Sequence, residues 1–388
     1  MTGRRLCFVI TNDISTVFYR GYLSYLRERG WNVTIISRDT GKLTALGEAE
    51  GVDIVDVDMV RDPSPIRDLR SLIRLTRAIR RVRPDVLVFS TPKASLLASV
   101  AGWLLRVPVR IYHILGLRYE TESGARRRVF KALEKTATGL ATETLAVSHS
   151  LAELVREEQL TSRVVVLGEG SPFGTDLRRF SPDALDIPAL DADTDAFLAG
   201  QGAAFRLLFV GRITRDKGVG DLLDALALLA DRGVEVASVI VGPGEDAGLE
   251  RRIEDFAAEH AVQRVGSVAD PRAYMRAVDM LCLPTLREGF GQVIVEAAGL
   301  GVPTITTQAT GARDVVVDGE TGLIVPVKDG AALAAAIERA DADRVEVRRW
   351  GAAARARAEE YYSTDRVWRQ YADHFDALLR SGDDSADA

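Results

Sequence analysis

Two cations, two carboxylates and a group of glycines stand out in the second half of this 388-residue chain. In LFVGRITRDKG (208–218) an apolar run ends at Gly211, and Arg212 and Lys217 stand before a helical pattern that starts after Gly218 and Gly220. Glycines allow close approach of backbone, a helix amino terminus offers unpaired N–H groups, and two cations match a doubly charged phosphate. The pattern predicts an anion site in this strand-to-helix loop. Further on, TLREGFGQVIVEAAGLGVP (285–303) places Gly289, Phe290 and Gly291 ahead of Gln292 and of a helix apolar nearly all round: Val293, Ile294, Val295, Ala297, Ala298, Leu300. Such a helix is buried, yet it carries Glu296, with Glu288 eight residues earlier in the loop. A buried carboxylate is costly unless it meets a cation, hydrogen-bond donors or the hydroxyls of a ligand. The turns TQATGARD (307–314) and DGETG (318–322) follow at the same sheet edge.

The elements that must position these residues alternate along the whole chain. Short β-rich runs at 6–10, 33–36, 86–89, 109–112, 144–147 and 164–167 are separated by helical patterns at 17–29, 66–82, 94–105, 127–138 and 151–158. Near-continuous apolar strands between helices mean a parallel sheet covered on both faces. The alternation pauses over 168–204, rich in Gly, Ser, Pro and Asp, and resumes with strands at 207–210, 239–241, 280–283, 304–306 and 323–325. The expected fold class is α/β, two doubly wound Rossmann-like domains facing across a cleft. The expected division is a first domain at 1–180, a linker at 181–204 and a second domain at 205–361, with a C-terminal helix at about 362–380 packing back on the first. Open parallel sheets bind ligands beyond the carboxyl ends of their strands, which is where the loops above fall.

Composition excludes several classes. Hydrophobic residues make up 47 % and charged residues 27 %, ordinary for a globular protein and unlike disordered, collagen-like or coiled-coil chains. Cys7 and Cys282 sit in apolar runs without a second Cys or His at zinc-ligand spacing, so buried thiols are expected and no metal site. Asp-x-Asp occurs at 56–58, 191–193 and 341–343, too often in an acidic chain to single out one pair. The longest apolar run, 94–105, is too short to span a bilayer, and no secretory h-region follows Arg4-Arg5. A cytoplasmic protein is expected, peripheral on the inner face of the membrane if it docks there.

Three blocks in order, GRITRDKG, REGFGQVIVEAAGLGVP and TGARDVVVDGETG, resemble the retaining GT-B glycosyltransferases of family 4. The resemblance spans both domains and is strongest over 207–325. It implies transfer of a sugar from a nucleotide-diphosphate donor, UDP- or GDP-linked, to an acceptor hydroxyl, with anomeric configuration retained. Arg212 and Lys217 would hold the diphosphate, Glu296 the ribose hydroxyls and Glu288 the sugar hydroxyls. Gly211 and the Phe290, Gly291 and Gln292 backbone would cradle donor sugar and phosphate. His113, read as standing just past a strand, matches a family histidine that faces the donor sugar. With two cations at the leaving group, no metal and no cofactor beyond the donor co-substrate is implied. The first strand is followed by TNDIST (11–16) where relatives carry a glycine-rich loop, and GLRYE (116–120) resembles a subgroup of surface-polysaccharide assembly. That subgroup implies polysaccharide or glycolipid assembly and a polyprenyl-diphosphate-linked sugar as acceptor. Alternatives are transfer to a soluble small-molecule acceptor, and a nucleotide-sugar 2-epimerase of the same architecture.

Charge points to one more partner. Residues 1–180 carry a net charge of +8 and residues 181–388 one of −14. Arg67, Arg70, Arg74, Arg77 and Arg81 recur at three and four along 66–83, while Ile66, Leu69, Ile73, Thr76 and Ile79 are expected to form the side that packs on the sheet. With the cluster Arg126-Arg127-Arg128, this basic first domain could meet an anionic membrane surface. Aromatic residues are scarce in these patches, so no nucleic-acid partner is expected.

Overall fold

A computed structural model describes residues 4–59 and 65–384. The chain forms two compact units: residues up to Gly174 together with those from Asp365 onward, and Thr175–Thr364.

The first unit is built on a seven-stranded sheet of β1 (Arg4–Asn12), β2 (Trp31–Arg38), β3 (Asp53–Asp56), β4 (Val86–Phe89), β5 (Val109–Ile114), β6 (Glu143–Ala146) and β7 (Val164–Val165). Their order is β3-β2-β1-β4-β5-β6-β7, all parallel. Each apolar strand is covered by helices on both faces, as the unbroken hydrophobic runs require. The C-terminal helix Thr364–Asp384 adds Val367, Tyr371, Ala372 and Phe375 to the core of Leu6, Phe8, Ile10, Tyr22 and Trp31. Its placement is tightened by Arg4 on Asp376 (2.5 Å) and Arg29 on Asp373 (2.7 Å).

Two details depart from expectation. The helix expected over 17–29 is a 3-10 turn, Asp13–Tyr19, followed by a helix at Tyr22–Glu28. The buried Asp13 carboxylate accepts from the amide and hydroxyl of Thr40 and from the Lys42 amide, which anchors the chain directly after β1. On the helix Pro65–Val82 the sheet-facing side is Ser71, Leu75 and Ile79, a clean four-residue spacing. Ile66, Leu69 and Ile73 are instead 70 %, 59 % and 42 % exposed, on the outside with the arginines. The apolar set expected to pack spans more of the helix circumference than one packing face covers.

The second unit holds a six-stranded parallel sheet: β8 (Phe205–Val210), β9 (Val236–Val241), β10 (Val262–Val265), β11 (Met280–Leu283), β12 (Thr304–Thr307) and β13 (Gly322–Val325), in the order β10-β9-β8-β11-β12-β13. Residues 181–204, read as a linker, are part of this fold. Asp191 caps the helix Ala192–Gly200 by accepting from the Thr194 amide, and Leu198 is buried. The Tyr274 hydroxyl also donates to Asp191 (2.7 Å), and at the start of the stretch Arg272, 2 % exposed, donates from its guanidinium to Asp270, to Asp186 (2.8 Å) and to the Arg179 carbonyl (2.9 Å). A buried guanidinium needs its donors matched, and residues 179 and 186 supply that match.

Candidate functional site

In the second sheet the strand order reverses between β8 and β11, so the loops leaving these two strands flank the switch point where open α/β sheets bind ligands. Those loops are Gly211–Gly218 and Pro284–Gly291, the two that carry Arg212, Lys217, Glu288 and Phe290. Topology therefore brings together residues more than seventy positions apart. The Leu286 amide donates to the Asp216 carbonyl (2.8 Å) and Arg287 pairs with Asp216 (2.9 Å). Gly218 closes the junction from the first side. It has a left-handed φ of 71° as the residue before helix Val219–Asp231, and a Cβ there would collide with the Pro284 carbonyl oxygen. Gly311 does the same from the third loop. Its φ is 76°, a side chain would strike the Gly289 carbonyl, and the neighbouring Thr310 carbonyl accepts from the Glu288 amide (2.9 Å).

The charged side chains sort into three settings. Lys217 and Glu288 form an ion pair whose side chains are only 16 % and 15 % exposed. Partial burial makes such a pair stronger than a surface one. Arg212 is exposed and pairs with Glu245 (2.9 Å), itself exposed, an interaction of the kind that opens at little cost. Burial would raise the Asp216 carboxyl, but the Thr214 hydroxyl and the charges of Arg287, Lys217 and Arg212 bring it below the usual carboxylate range. Arg212, Lys217 and Arg287, each with an acidic partner, thus gather around Asp216 where the loops after β8 and β11 meet.

Gly291 precedes the helix Gln292–Gly299, and Phe290 is buried with its ring edge-on to Tyr362 (5.4 Å). Gln292 donates from its amide to the Thr175 hydroxyl (2.8 Å). One turn on, Glu296 is half-buried. Burial pushes its carboxyl from 4.5 up to about 7; the Arg179 charge and a hydrogen bond with Gln292 offset part of that, and the Asp270 charge adds to it. Among the described residues no hydrogen bond or ion pair joins Glu296 to Arg212 or Lys217. Burial outweighs what Arg179 and Gln292 offer the carboxylate, and donors from a ligand would supply the rest. Arg179 and Asp270, joined at 3.2 Å, were not legible beforehand, because nothing in the local pattern relates them to residue 296.

His113 belongs to the first unit, and the structure corrects its setting. It lies within β5, not past its end, is 4 % exposed, and its Nε2 meets the Tyr371 hydroxyl at 2.8 Å. Burial lowers its imidazole to about 3, so it is neutral at working pH. No group of three or more His, Cys, Asp or Glu with metal-binding geometry exists among the described residues, and no described helix is long and apolar enough to cross a membrane.

A parallel Rossmann-like sheet in each unit, with cations, acids and glycines gathered at the second sheet's switch point, defines a GT-B class protein. The family model described as Glycosyl transferases group 1 matches residues 198–357, and that of a Glycosyl transferase 4-like domain matches residues 16–170. The capsular polysaccharide biosynthesis glycosyltransferase CapM of Staphylococcus aureus is 31 % identical over 390 residues, covering 99 % of this chain and all of that one. The UDP-Gal:alpha-D-GlcNAc-diphosphoundecaprenol alpha-1,3-galactosyltransferase of Escherichia coli is 23 % identical over 81 % of each chain. Among solved structures, Anabaena HepE in complex with UDP and glucose superposes with a TM-score of 0.76 at 19 % identity, covering 96 % of this chain and 100 % of that one. The chain belongs to the group 1 glycosyl transferases, family 4, and is a glycosyltransferase.

Proposed function

We propose that this enzyme transfers a sugar from a UDP- or GDP-linked donor to an acceptor hydroxyl with retention of anomeric configuration, in cell-surface polysaccharide or glycolipid assembly. The observation that carries the reading is the Lys217–Glu288 pair at the switch point, with Arg212 beside it and half-buried Glu296 on the following helix. Lys217 and Arg212 meet the diphosphate; as the glycosidic bond breaks, negative charge grows on that leaving group and both cations stabilise it. Arg212 leaves its exposed partner Glu245 to do so. Glu288 accepts from donor-sugar hydroxyls while its pairing with Lys217 holds it in place. Glu296 accepts from the ribose hydroxyls, and the Phe290–Gln292 backbone, with Gly211, lines the sugar and phosphate. His113 contributes an uncharged imidazole toward the donor sugar. The cations perform the charge stabilisation, and the proposed reaction runs without a divalent metal.

The relatives support the direction of the reading. The Staphylococcus aureus relative is named for capsular polysaccharide biosynthesis, the Escherichia coli one for a diphosphoundecaprenol-linked substrate, and HepE was solved with UDP and glucose. A polyprenyl-diphosphate-linked sugar is accordingly the proposed acceptor. The outward face of helix Pro65–Val82 suits the surface where such an acceptor resides. Ile66, Leu69 and Ile73 lie exposed among Arg67, Arg70, Arg74 and Arg77, a mixture that inserts aliphatic groups while cations meet anionic headgroups at about 1 kcal/mol each. The proposed location is the cytoplasmic face of the membrane, peripherally bound.

The test is a panel of UDP- and GDP-sugars incubated with polyprenyl-diphosphate-linked acceptors. Release of nucleoside diphosphate in step with a new, configuration-retained glycosidic bond is expected. Interconversion of the donor sugar without an acceptor points to an epimerase, and turnover only with soluble acceptors removes the polyprenyl assignment.

A further inference from the structure

Tyr371 is a buried residue of the C-terminal helix, and its hydroxyl stands at the centre of a three-member hydrogen-bond chain. It lies 2.8 Å from His113 Nε2 and 3.1 Å from the Ser171 carbonyl oxygen. A carbonyl oxygen only accepts, so the single phenolic proton goes to Ser171. The phenolic oxygen is then left with lone pairs alone toward His113, and the ring nitrogen that meets it must carry the hydrogen. This chain of donors determines the imidazole tautomer: Nε2–H, with the Nδ1 lone pair free to accept. Among the described residues no hydrogen bond occupies Nδ1.

The acceptor of the Tyr371 proton is unusual as well. Ser171 has a left-handed φ of 99°, a conformation that non-glycine residues hold only where surrounding contacts impose it. Here the Ser171 amide donates to the Val147 carbonyl (2.8 Å), and the Ser171 hydroxyl accepts from the Gly174 amide (2.9 Å). From the same helix as Tyr371, Trp368 Nε1 donates to the Phe173 carbonyl (2.7 Å), and the Phe173 ring lies edge-on to His113. The helix therefore grips both the last residues before the first unit ends at Gly174 and, through one hydroxyl, the histidine.

We propose that Tyr371 is a positioning residue: by donating to the Ser171 carbonyl it holds His113 as the Nε2–H tautomer, so that Nδ1 serves as a hydrogen-bond acceptor for a hydroxyl of the sugar substrate. The role of His113 toward the sugar rests on the transferase reading above; the tautomer assignment does not. In this arrangement His113 is not a proton donor to the leaving group. Nitrogen-15 labelling of the four histidines of the full-length protein, with two-bond nitrogen–proton correlation, reads the tautomer directly, and His113→Gln identifies the signals. The wild-type protein is expected to show a protonated Nε2 and unprotonated Nδ1 that stay constant from pH 5 to 9. Tyr371→Phe removes the acceptor, so its His113 signals should move toward a tautomer mixture, with kcat/KM for the donor falling about five- to tenfold. A wild-type Nδ1–H pattern overturns the proposal without any variant. So does a Tyr371→Phe protein with unaltered His113 signals or unaltered turnover. Wild-type turnover in His113→Gln would instead strike the transferase role of His113, leaving the tautomer result to stand or fall separately.

Discussion

Glu296→Gln should make this protein more stable and a worse enzyme, with both effects depending on pH in a defined sense. Burial raises the Glu296 carboxyl from 4.5 to about 7, so the folded chain holds that proton more tightly than the unfolded chain does. The consequence for stability has one sign: no cost below the unfolded value near 4.5, a growing cost as pH climbs to about 7, and a constant cost above it. At about 1.4 kcal/mol per tenfold change in acidity, the full cost is about 3 kcal/mol, and the part of the carboxyl still reached by solvent reduces this to about 2. Glutamine keeps the size and hydrogen-bonding capacity without ionising. Equilibrium unfolding should therefore show the variant about 2 kcal/mol more stable than the parent at pH 8 and within about 1 kcal/mol at pH 5. The same substitution removes a charged acceptor for the ribose hydroxyls, each such bond being worth about 1.5–3 kcal/mol, so donor KM at pH 8 should rise about ten- to hundredfold. In the parent enzyme, donor KM should rise as pH falls through 7, because the protonated carboxyl accepts less well. A variant no more stable than its parent at pH 8, or equally stabilised at both pH values, would refute the burial argument. An unchanged donor KM would refute the ribose assignment.

Four further outcomes follow from the structure. Lys217→Ala should cut kcat about 10²–10³-fold, the usual cost of losing one donor to a developing anion, and chelating agents should leave wild-type turnover unchanged; steady-state rates check both. Gly218→Ala should lose at least about 2 kcal/mol in denaturant titrations, since alanine disfavours a φ of 71° and its methyl would strike the Pro284 carbonyl. Sedimentation with phosphatidylglycerol vesicles should weaken as salt rises, and the triple change of Ile66, Leu69 and Ile73 to Ser should reduce it more than tenfold at fixed salt; binding indifferent to both would remove the membrane surface from the proposal.

Much of this protein is local in origin. Near-continuous apolar strands spaced by helical patterns can be satisfied only by parallel sheets with two covered faces, so the doubly wound architecture was readable from the chain alone. The cationic loop after β8 and the acid-bearing helix after β11 were readable too, because a charge in an otherwise buried helix, or glycines between strand and helix, is anomalous without a ligand. Ile66, Leu69 and Ile73 lie exposed although periodicity puts them on an apolar side, because periodicity reports that a helix has such a side without reporting which residues the fold can reach. Residues 181–204 look like a linker because their composition is turn-rich, while the contacts that fix them in the second unit, Tyr274 on Asp191 and Arg272 on Asp186, come from about eighty residues away. Tertiary structure alone decided the partnerships: Lys217 with Glu288, seventy-one positions apart, Arg179 with Asp270, and His113 with Tyr371, separated by 258. Such pairs form wherever sheet order and helix docking bring two side chains within hydrogen-bond reach, a distance that no spacing along the chain records.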